Sequence, residues 1–342
     1  MSPRQSRVEA YNELPQTVKG KNTTDLSITQ RRKRRTPMLS IKGLRKTYAG
    51  HIQALRGVDL KASAGMFGLL GPNGSGKTTL MKILATLLEP DSGEAQLNGV
   101  DILAQKDKAR GMLGYLPQEF GFYPTFTAEQ TLDYFAKLKG VVDKKDRKEL
   151  IGELLERVNL SHARSQRVGG FSGGMRQRLG VAQAIISQPE LLIVDEPTAG
   201  LDPEERLRFY NLLSETAQTH YPSRSSGCSD VPGKIVMLST HIVADVSSLC
   251  NQMAVIQKGE ILATAVPQQA TRELIGAVWE ATVPREKAAK LKSQCNVISS
   301  YMFDGQTRLR VISKGERPSE EFAQVAPTLE DYYFHLVAER SL

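Results

Sequence analysis

Residues 71–79 read GPNGSGKTT, a glycine-rich run that ends in a lysine and two threonines. Gly71, Gly74 and Gly76 allow the backbone to fold around a phosphate group with its N–H groups pointing inward. Lys77 can then span two neighbouring phosphates of a nucleotide, and the Thr78 hydroxyl can ligate Mg²⁺. The spacing predicts a nucleotide-phosphate site that takes in the whole loop: Gly71, Pro72, Asn73, Gly74, Ser75, Gly76, Lys77, Thr78 and Thr79.

A pair of carboxylates, Asp195 and Glu196, follows four aliphatic residues in the segment LLIVDEP. Ligands of open parallel sheets bind at the carboxyl ends of the strands. One carboxylate can therefore hold part of a Mg²⁺ shell, and the other can accept a proton from water. A solvated turn is the alternative for such a pair, and the aliphatic run before it argues against that alternative.

His241 ends the segment KIVMLSTH, a second apolar run of strand length. A lone histidine is more often a surface or packed residue than a functional one. Its position at the end of a strand in the same predicted sheet favours a role beside Asp195 and Glu196.

A second glycine pair occurs in FSGGMRQR, residues 171–178. Ser172, Gly173 and Gly174 open a predicted helix, whose first amides can also face a phosphate. The residues alone permit both glycine-rich segments to serve one nucleotide in the same chain.

The remaining patterns predict the elements that position these residues. Period-two alternation between residues 38 and 64 indicates antiparallel strands, and GMFGLL is a strand that leads into the phosphate loop. Residues from about 119 to 190 show helical spacing, and LLIVD and KIVMLST suit the middle of a parallel sheet. We expect a helix between those two strands, then a surface loop near 217–234, which includes Cys228.

After about residue 264 the character of the chain changes to a small α+β unit. It contains a predicted helix REKAAKLKSQ, two strands around Asp304 and Gly305, and a helix TLEDYYFHLVAER. Regulation, dimerisation and simple packing all remain open as roles for this unit.

Composition limits the class of protein. The chain has 342 residues, of which 40% are hydrophobic and 24% charged. No apolar run reaches the roughly 18–20 residues that a membrane span needs, and we find no secretory signal in the first 30 residues. We therefore expect the chain to start in the cytosol and any membrane spans to come from another polypeptide. Cys228, Cys250 and Cys295 lack metal-site spacing and are expected to be reduced thiols.

The net charge of +8 is concentrated at one end. Residues 1–38 carry nine Lys/Arg and three Asp/Glu, so only +2 remains for residues 39–342. We expect a disordered basic tail over residues 1–37, with a nucleic-acid signal or weak lipid affinity as alternatives. Translation from Met38 is a further hypothesis, because strand-like alternation begins there. The nearly neutral remainder argues against broad contacts with nucleic acid.

The phosphate loop, FSGGM, LLIVDEPTAGLDP and STH, in this order, resemble the nucleotide-binding subunit of ABC transporters. The resemblance covers residues 39 to about 264, and bacterial exporter subunits with a separate permease are the most similar. It implies an α/β fold: a P-loop NTPase core of mostly parallel sheet flanked by helices, an antiparallel β subdomain and a helical subdomain over about 119–190. With the C-terminal unit, the expected divisions are residues 1–37, 38–264 and 265–342.

The resemblance also implies roles for single residues. Tyr48 would stack on adenine, and Gln118 would contact Mg²⁺ and the attacking water. Asp195 would be the metal-binding aspartate and Glu196 the catalytic base. His241 would contact the γ-phosphate.

For the dimer, the resemblance implies that Ser172, Gly173 and Gly174 face the ATP held by a partner subunit, and that Asp202 crosses the interface. Phe171 and Met175 depart from the usual Leu and Gln of this motif. The phosphate-facing groups are kept, so we expect nucleotide contact to persist.

The function expected from the resemblance is hydrolysis of Mg²⁺-ATP in a head-to-tail dimer, of two copies or of one copy and a homologous partner, at the cytoplasmic face of the membrane. It would drive an integral membrane permease. Residues 119–124 are the candidate contact with that permease, and simple packing within the protein is the alternative for them. The alternatives are a soluble ABC ATPase acting on ribosomes or DNA, and a regulator that does not hydrolyse ATP. Glu196 argues against the regulator.

Overall fold

The computed structural model describes residues 38–198, 200–218 and 233–339. The basic tail, most of the expected loop near 217–234 and Cys228 lie outside the described residues, so the predictions made for them stay predictions.

The strands lie in two of the described ranges, 38–198 and 233–339. They are β1 (Met38–Tyr48), β2 (Ile52–Ser63), β3 (Gly65–Leu70), β4 (Ser92–Leu97), β5 (Val100–Asp101), β6 (Leu113–Leu116), β7 (Leu191–Asp195), β8 (Ile235–Thr240), β9 (Gln252–Gln257), β10 (Glu260–Ala265), β11 (Val278–Val283), β12 (Val297–Phe303), β13 (Gln306–Ile312) and β14 (Ala323–Gln324).

The α-helices alternate with these strands over much of the chain. They are α1 (Lys77–Leu84), α2 (Lys106–Met112), α3 (Ala128–Leu138), α4 (Lys144–Arg157), α5 (Gly173–Ile185), α6 (Pro203–Gln218), α7 (Val243–Leu249), α8 (Pro267–Arg272), α9 (Arg285–Gln294) and α10 (Leu329–Glu339).

The first sheet has the order β2-β1-β4-β5, and all of its pairings are antiparallel. Leu39 and Ile41 alternate inward along β1, as the period-two pattern predicts. The register shifts between Ile41 and Leu44, where Gly43 has a positive φ of 56°. This bulge returns Leu44 to the buried face.

The main sheet has the order β10-β9-β3-β8-β7-β6, and only β10 runs antiparallel to its neighbour. The register pairs Leu70 with Thr240 and Asp195 with Ser239. The carboxyl ends of β3, β7 and β8 therefore share one edge. Because β7 and β8 are buried along their whole length, their sequences are continuously apolar rather than alternating.

The helical region contains α3, α4 and α5, each with a side-chain cap at its N-terminus. Thr127 and Gln130 form a capping box on α3, Asp143 caps α4 and Ser172 caps α5. Their apolar faces join one core with the main sheet. Residues 119–126 are not helical, so the helical prediction is wrong for that short stretch.

The C-terminal sheet has the order β12-β13-β11-β14 and is antiparallel. Asp304 and Gly305 both have positive φ, at 48° and 73°, the combination that a tight type I′ hairpin requires. Helix α9 covers this sheet, whereas α10 returns to the main core, where Leu329 and Tyr333 are buried. The predicted small α+β unit is present.

Together these parts confirm the expected fold class: a mostly parallel core, an antiparallel β subdomain, a helical region and a C-terminal α+β unit. No helix within the described ranges is both long enough and apolar enough to cross a membrane.

Candidate functional site

The phosphate loop joins β3 to α1 in a conformation that its glycines make possible. Gly74 and Gly76 have φ of 76° and 107°, where a side chain is strained. A Cβ at Gly71 would overlap the Ile256 carbonyl oxygen, and one at Gly76 would overlap that of Ala54. The loop is thus wedged against neighbouring strands, and α1 begins directly at Lys77.

Lys77 is buried, and its ammonium group lies at the centre of the loop. Its Nζ donates to the carbonyl oxygens of Gly71 and Pro72, at 2.8 and 3.1 Å. The same atom lies 3.1 Å from Glu196 Oε1. The cation therefore connects the phosphate loop to the end of β7.

Asp195 is fully buried at the end of β7. Its Oδ1 accepts from the Ser239 hydroxyl and, at 3.5 Å, from that of Thr78. Its Oδ2 is buried and has no hydrogen-bond partner among the residues that the structure describes. Burial raises the pKa of this carboxyl above its usual value, although the hydrogen bonds from Ser239 and Thr78 oppose the change.

An unpartnered buried carboxylate oxygen beside a threonine hydroxyl fits a divalent cation. Hard cations such as Mg²⁺ take oxygen ligands, and Asp195 and Thr78 supply them. A bound cation would also offset the cost of keeping this carboxylate charged away from water.

Glu196 has a φ of 44°, which is uncommon for a residue with a side chain. Its amide donates to the Ser239 carbonyl oxygen at 3.1 Å. Its Oε2 lies 3.2 Å from Nδ1 of His241, whose side chain is 43% exposed. Strained backbones cluster at functional sites, and here the turn brings Glu196 between Lys77 and His241.

A cleft of about 390 Å³ opens above the phosphate loop. The Tyr48 ring stands at its rim, with its hydroxyl 3.3 Å from Thr79 Oγ1. The lining residues are Tyr48, Ile52, Gln53, Ala54, Asn73, Gly74, Ser75, Gly76, Lys77, Thr78, Thr79, Gln118 and Glu196. Tyr48, Gln118 and Glu196, far apart in sequence, are therefore brought to one cavity.

A larger cavity of about 700 Å³ lies between α3 and α4. Its lining includes Phe126, Tyr134 and several charged side chains, and no residue of the phosphate loop. Size alone would favour this cavity as the functional site. The residues suited to bind phosphate and a metal ion line the smaller cleft, which is therefore the better candidate.

The second glycine-rich segment lies elsewhere. Ser172, Gly173 and Gly174 do not line the nucleotide cleft. The Ser172 hydroxyl accepts from the Met175 amide at 3.1 Å, and Gly173 lines a separate cavity of about 360 Å³. Asp202 caps α6 by accepting from the Glu205 amide at 2.8 Å.

Glu205 connects this segment to α6. Its carboxylate pairs with Arg178 of α5, which is buried. A Cβ at Gly174 would overlap the same carboxylate. The start of α5 and the start of α6 are thus packed together.

Sequence reasoning missed a buried network around Asp245, four residues after His241. The Asp245 carboxylate accepts from the hydroxyls of Thr198, Tyr210 and Thr240. The short distance from His241 was the only signal in the sequence, because the three donors come from distant segments.

Comparison with known proteins places these features in a family. The family model described as ABC transporter matches residues 55–199. The chain is 39% identical, over 66% of its length and 69% of the relative's, to an uncharacterised ABC transporter ATP-binding protein of Bacillus subtilis (strain 168).

A second relative is the Nod factor export ATP-binding protein I of Ralstonia nicotianae. It is 37% identical over 70% of this chain and 71% of its own length. A solved ATP-binding subunit of an ABC transporter superposes with a TM-score of 0.58 at 26% identity, over 69% of this chain and 92% of that one. With these matches added to its phosphate loop, its acidic strand end and residues 171–175 (FSGGM, the signature segment), the chain belongs to the ABC transporter family, as one of its ATP-binding, ATP-hydrolysing subunits.

Proposed function

We propose that this subunit hydrolyses Mg²⁺-ATP in the cleft above its phosphate loop and drives an integral membrane permease made by another polypeptide. The observation that carries the proposal is the meeting of Lys77, Glu196 and His241 at one edge of the main sheet. Lys77 Nζ lies 3.1 Å from Glu196 Oε1, and Glu196 Oε2 lies 3.2 Å from Nδ1 of His241. A cation, a carboxylate and an imidazole so arranged can bind phosphate, orient water and compensate the charge that develops during transfer.

Nucleotide binding is assigned to the residues around the cleft. The amides of the phosphate loop and the positive end of α1 face the phosphates. Lys77 exchanges part of its contact with Glu196 for the phosphate oxygens, and Tyr48 stacks on the adenine ring.

Asp195, Thr78 and Gln118 hold Mg²⁺ in this proposal. The support is the unpartnered Asp195 Oδ2, the Thr78 hydroxyl beside it and the position of Gln118 on the cleft wall. When bound, Mg²⁺ offsets the negative charge on the phosphate oxygens.

Hydrolysis is in-line attack by water on the γ-phosphate. Glu196 orients that water and accepts its proton, because its carboxylate lies at the end of β7 and lines the cleft above the phosphate loop. His241 contacts the γ-phosphate from the end of β8. Their 3.2 Å contact means that each restrains the other before the nucleotide arrives.

The active form is a head-to-tail dimer, either of two copies or of one copy and a homologous partner. Ser172 and Gly174 lie away from the cleft of their own chain, so they are available to the ATP of a partner. Helix dipoles favour a phosphate at the N-terminus of α5 as they do at α1. Asp202, at the start of α6, lies at the interface.

The permease contact lies on the helical region, at the cytoplasmic face of the membrane. Phe120 and Phe122 are half-buried and pack against the main core, whereas Tyr123 is 60% exposed. The Tyr123 ring lies 5.2 Å from that of Phe126, beside the larger cavity. Exposed aromatic clusters mark interfaces. Transport is outward, as the name of the Ralstonia export relative suggests.

Substitution of Glu196 by Gln tests the mechanism. Glu196→Gln keeps the shape of the side chain but cannot accept the proton from water. We expect ATP binding to persist, a nucleotide-bound dimer to accumulate and turnover to stop. Unchanged ATPase activity in the purified variant would contradict the proposed role.

A mixing experiment tests the dimer. Lys77→Ala damages the phosphate loop and Ser172→Glu damages the signature segment, so each variant alone should be inactive. A mixed dimer keeps one intact site made from both chains, and partial activity should return on mixing. If each chain uses its own signature segment, mixing restores nothing.

A further inference from the structure

Asp245, in the first turn of α7, is fully buried and accepts hydrogen bonds from three hydroxyl groups. Its Oδ2 lies 3.0 Å from Thr198 Oγ1 and 2.9 Å from Thr240 Oγ1. Its Oδ1 accepts from the Tyr210 hydroxyl. Hydrogen bonds to an ionised acceptor are roughly twice as strong as neutral ones, and a buried carboxylate needs them to be tolerated.

Two of the three donors lie beside the proposed catalytic side chains, and the third lies in α6. Thr198 lies two residues after Glu196, and Thr240 lies immediately before His241. Tyr210 lies in α6, the helix that begins at the Asp202 cap. One carboxylate thus joins the loop after β7, the end of β8 and the helix at the expected dimer interface.

The Thr240 hydroxyl takes part in a second contact that fixes the same turn. It accepts from the Ile242 amide at 2.9 Å while it donates to Asp245. His241 lies between Thr240 and Ile242. The Thr240 hydroxyl, which contacts the Ile242 amide, is oriented by its hydrogen bond to the Asp245 carboxylate. Two hydrogen bonds through Thr240 therefore link the turn at His241 to Asp245.

The burial of the network makes it sensitive to the loss of any member. Tyr210 is held in its neutral form, because burial and the neighbouring Asp245 carboxylate raise the pKa of its phenol. The network is thus a buried carboxyl group that accepts from three hydroxyl groups, and removal of one donor leaves part of this acceptor without a hydrogen bond.

We propose that Asp245 is a positioning residue for ATP hydrolysis, which holds His241 in place against Glu196 and ties both to α6. The inference rests on the proposed roles of Glu196 and His241. Asp245 itself touches neither of their side chains in this network; it acts through Thr198 and Thr240. A displacement of about 1 Å at a reacting group can lower a rate by about 100-fold, so a positioning role has a large kinetic signature.

The primary test is Asp245→Asn, assayed for kcat, KM for ATP, ATP affinity without turnover, and melting temperature. We expect kcat to fall by about 10- to 100-fold while ATP affinity changes by less than about twofold, because misplacement acts on the reacting groups and not on the phosphate loop. A fall in melting temperature with unchanged kcat per folded molecule would assign Asp245 a structural role only and overturn the proposal.

The second test uses pairs that remove or keep one hydroxyl. Thr198→Val removes a donor to Asp245 with almost no change in volume, and Thr198→Ser keeps it. We expect kcat to fall in the valine variant and to be largely retained in the serine variant. Thr216→Val is the matched control, because the buried Thr216 hydroxyl donates to the Leu212 carbonyl oxygen at 2.7 Å and has no link to Asp245. These smaller changes keep the proposal testable if Asp245→Asn does not fold.

The third test is a double-mutant cycle with His241→Ala. If Asp245 acts through His241, the double variant should lose little more activity than His241→Ala alone, because the two changes remove one unit. If the activity losses of the two single variants multiply in the double variant, Asp245 and His241 act independently, which would contradict the proposal. Failure of the inference is distinguishable from failure of the proposed function, since Glu196→Gln stops turnover whichever outcome Asp245 gives.

Discussion

Asp195 and Glu196 are adjacent in sequence, but their surroundings assign them different chemistry. Asp195 is enclosed beneath the sheet edge, where serine and threonine hydroxyls reach only one of its oxygens. Glu196 turns out of the strand through a left-handed backbone and faces Lys77 and His241. One carboxylate is thus suited to a cation and the other to a reacting water.

At the residue scale, we predict that Asp195→Asn abolishes the Mg²⁺ dependence of ATP binding. The amide lacks the negative charge that attracts the cation, whereas the phosphate loop and Lys77 are unchanged. Nucleotide affinity should therefore become the same with Mg²⁺ and with a chelator, measured by titration calorimetry. Glu196→Gln is the control and should retain the Mg²⁺ effect; a retained effect in Asp195→Asn would remove Asp195 from the proposed metal site.

At the element scale, the start of α5 distinguishes Gly173 from Gly174. The space around a Cβ at Gly173 is open, whereas a Cβ at Gly174 meets the Glu205 carboxylate that pairs with buried Arg178. We predict that Gly174→Ala destabilises the fold by about 1–3 kcal/mol through overpacking and loss of this pair. Gly173→Ala should leave the free energy of unfolding nearly unchanged.

Urea denaturation of the two variants measures the difference. Gly173→Ala should still impair ATP-induced dimerisation, because its methyl group faces the proposed site of the partner's nucleotide. Equal losses of stability in both variants would contradict the packing that the structure gives to Gly174.

The aromatic segment before α3 also divides into two kinds of residue. Phe120 packs against Gly180 of α5, and Tyr123 is largely exposed. We predict that Tyr123→Ala weakens co-purification with the permease while the melting temperature stays within a few degrees. Phe120→Ala should mainly lower the stability, by less than the roughly 3–5 kcal/mol lost at a fully buried phenylalanine, because Phe120 is half-buried.

Basal ATPase activity of the isolated subunit checks the assignment of Tyr123. It should be unchanged in Tyr123→Ala, since this residue lies outside the nucleotide cleft. If the Tyr123→Ala variant co-purifies with as much permease as the unchanged protein does, the contact lies elsewhere on the surface.

At the scale of the whole molecule, the C-terminal region is packed into the ATPase core. Leu329 and Tyr333 of α10 are buried in the same cluster as Val243 and Val246 of α7. Asp331 of α10 is buried too and pairs with Arg310 of β13 at 3.2 Å. Helix α10 therefore connects the C-terminal sheet to the helix that carries Asp245.

We predict that Leu329→Ala destabilises the ATPase region by about 2–5 kcal/mol, because it opens a cavity in a shared core. Unfolding followed by calorimetry should remain a single transition at a lower temperature. Two separate transitions, with only the smaller one shifted, would mean that residues 265–342 unfold as an independent domain. Glu330→Ala, at a neighbouring exposed position on α10, is the control and should have little effect.

A phosphate loop and most of the helices and strands can be predicted from neighbouring residues along the chain. Glycines at fixed positions, a lysine and a threonine suffice to predict a phosphate loop, because backbone conformation and charge are local properties. Continuous apolar runs predicted β7 and β8, and the Asp304–Gly305 turn predicted the hairpin of β12 and β13. Each of these predictions depends on residues that are neighbours along the chain.

The contacts between groups that are distant in sequence depend on the folded chain. No spacing shows that Lys77 pairs with Glu196, that Asp195 keeps one oxygen unpartnered, or that Asp245 gathers Thr198, Tyr210 and Thr240. Sheet register and burial set these contacts, and both depend on the packing of the whole chain. The same packing keeps Ser172, Gly173 and Gly174 out of the lining of the cleft above the phosphate loop, a point that their spacing in the sequence leaves open.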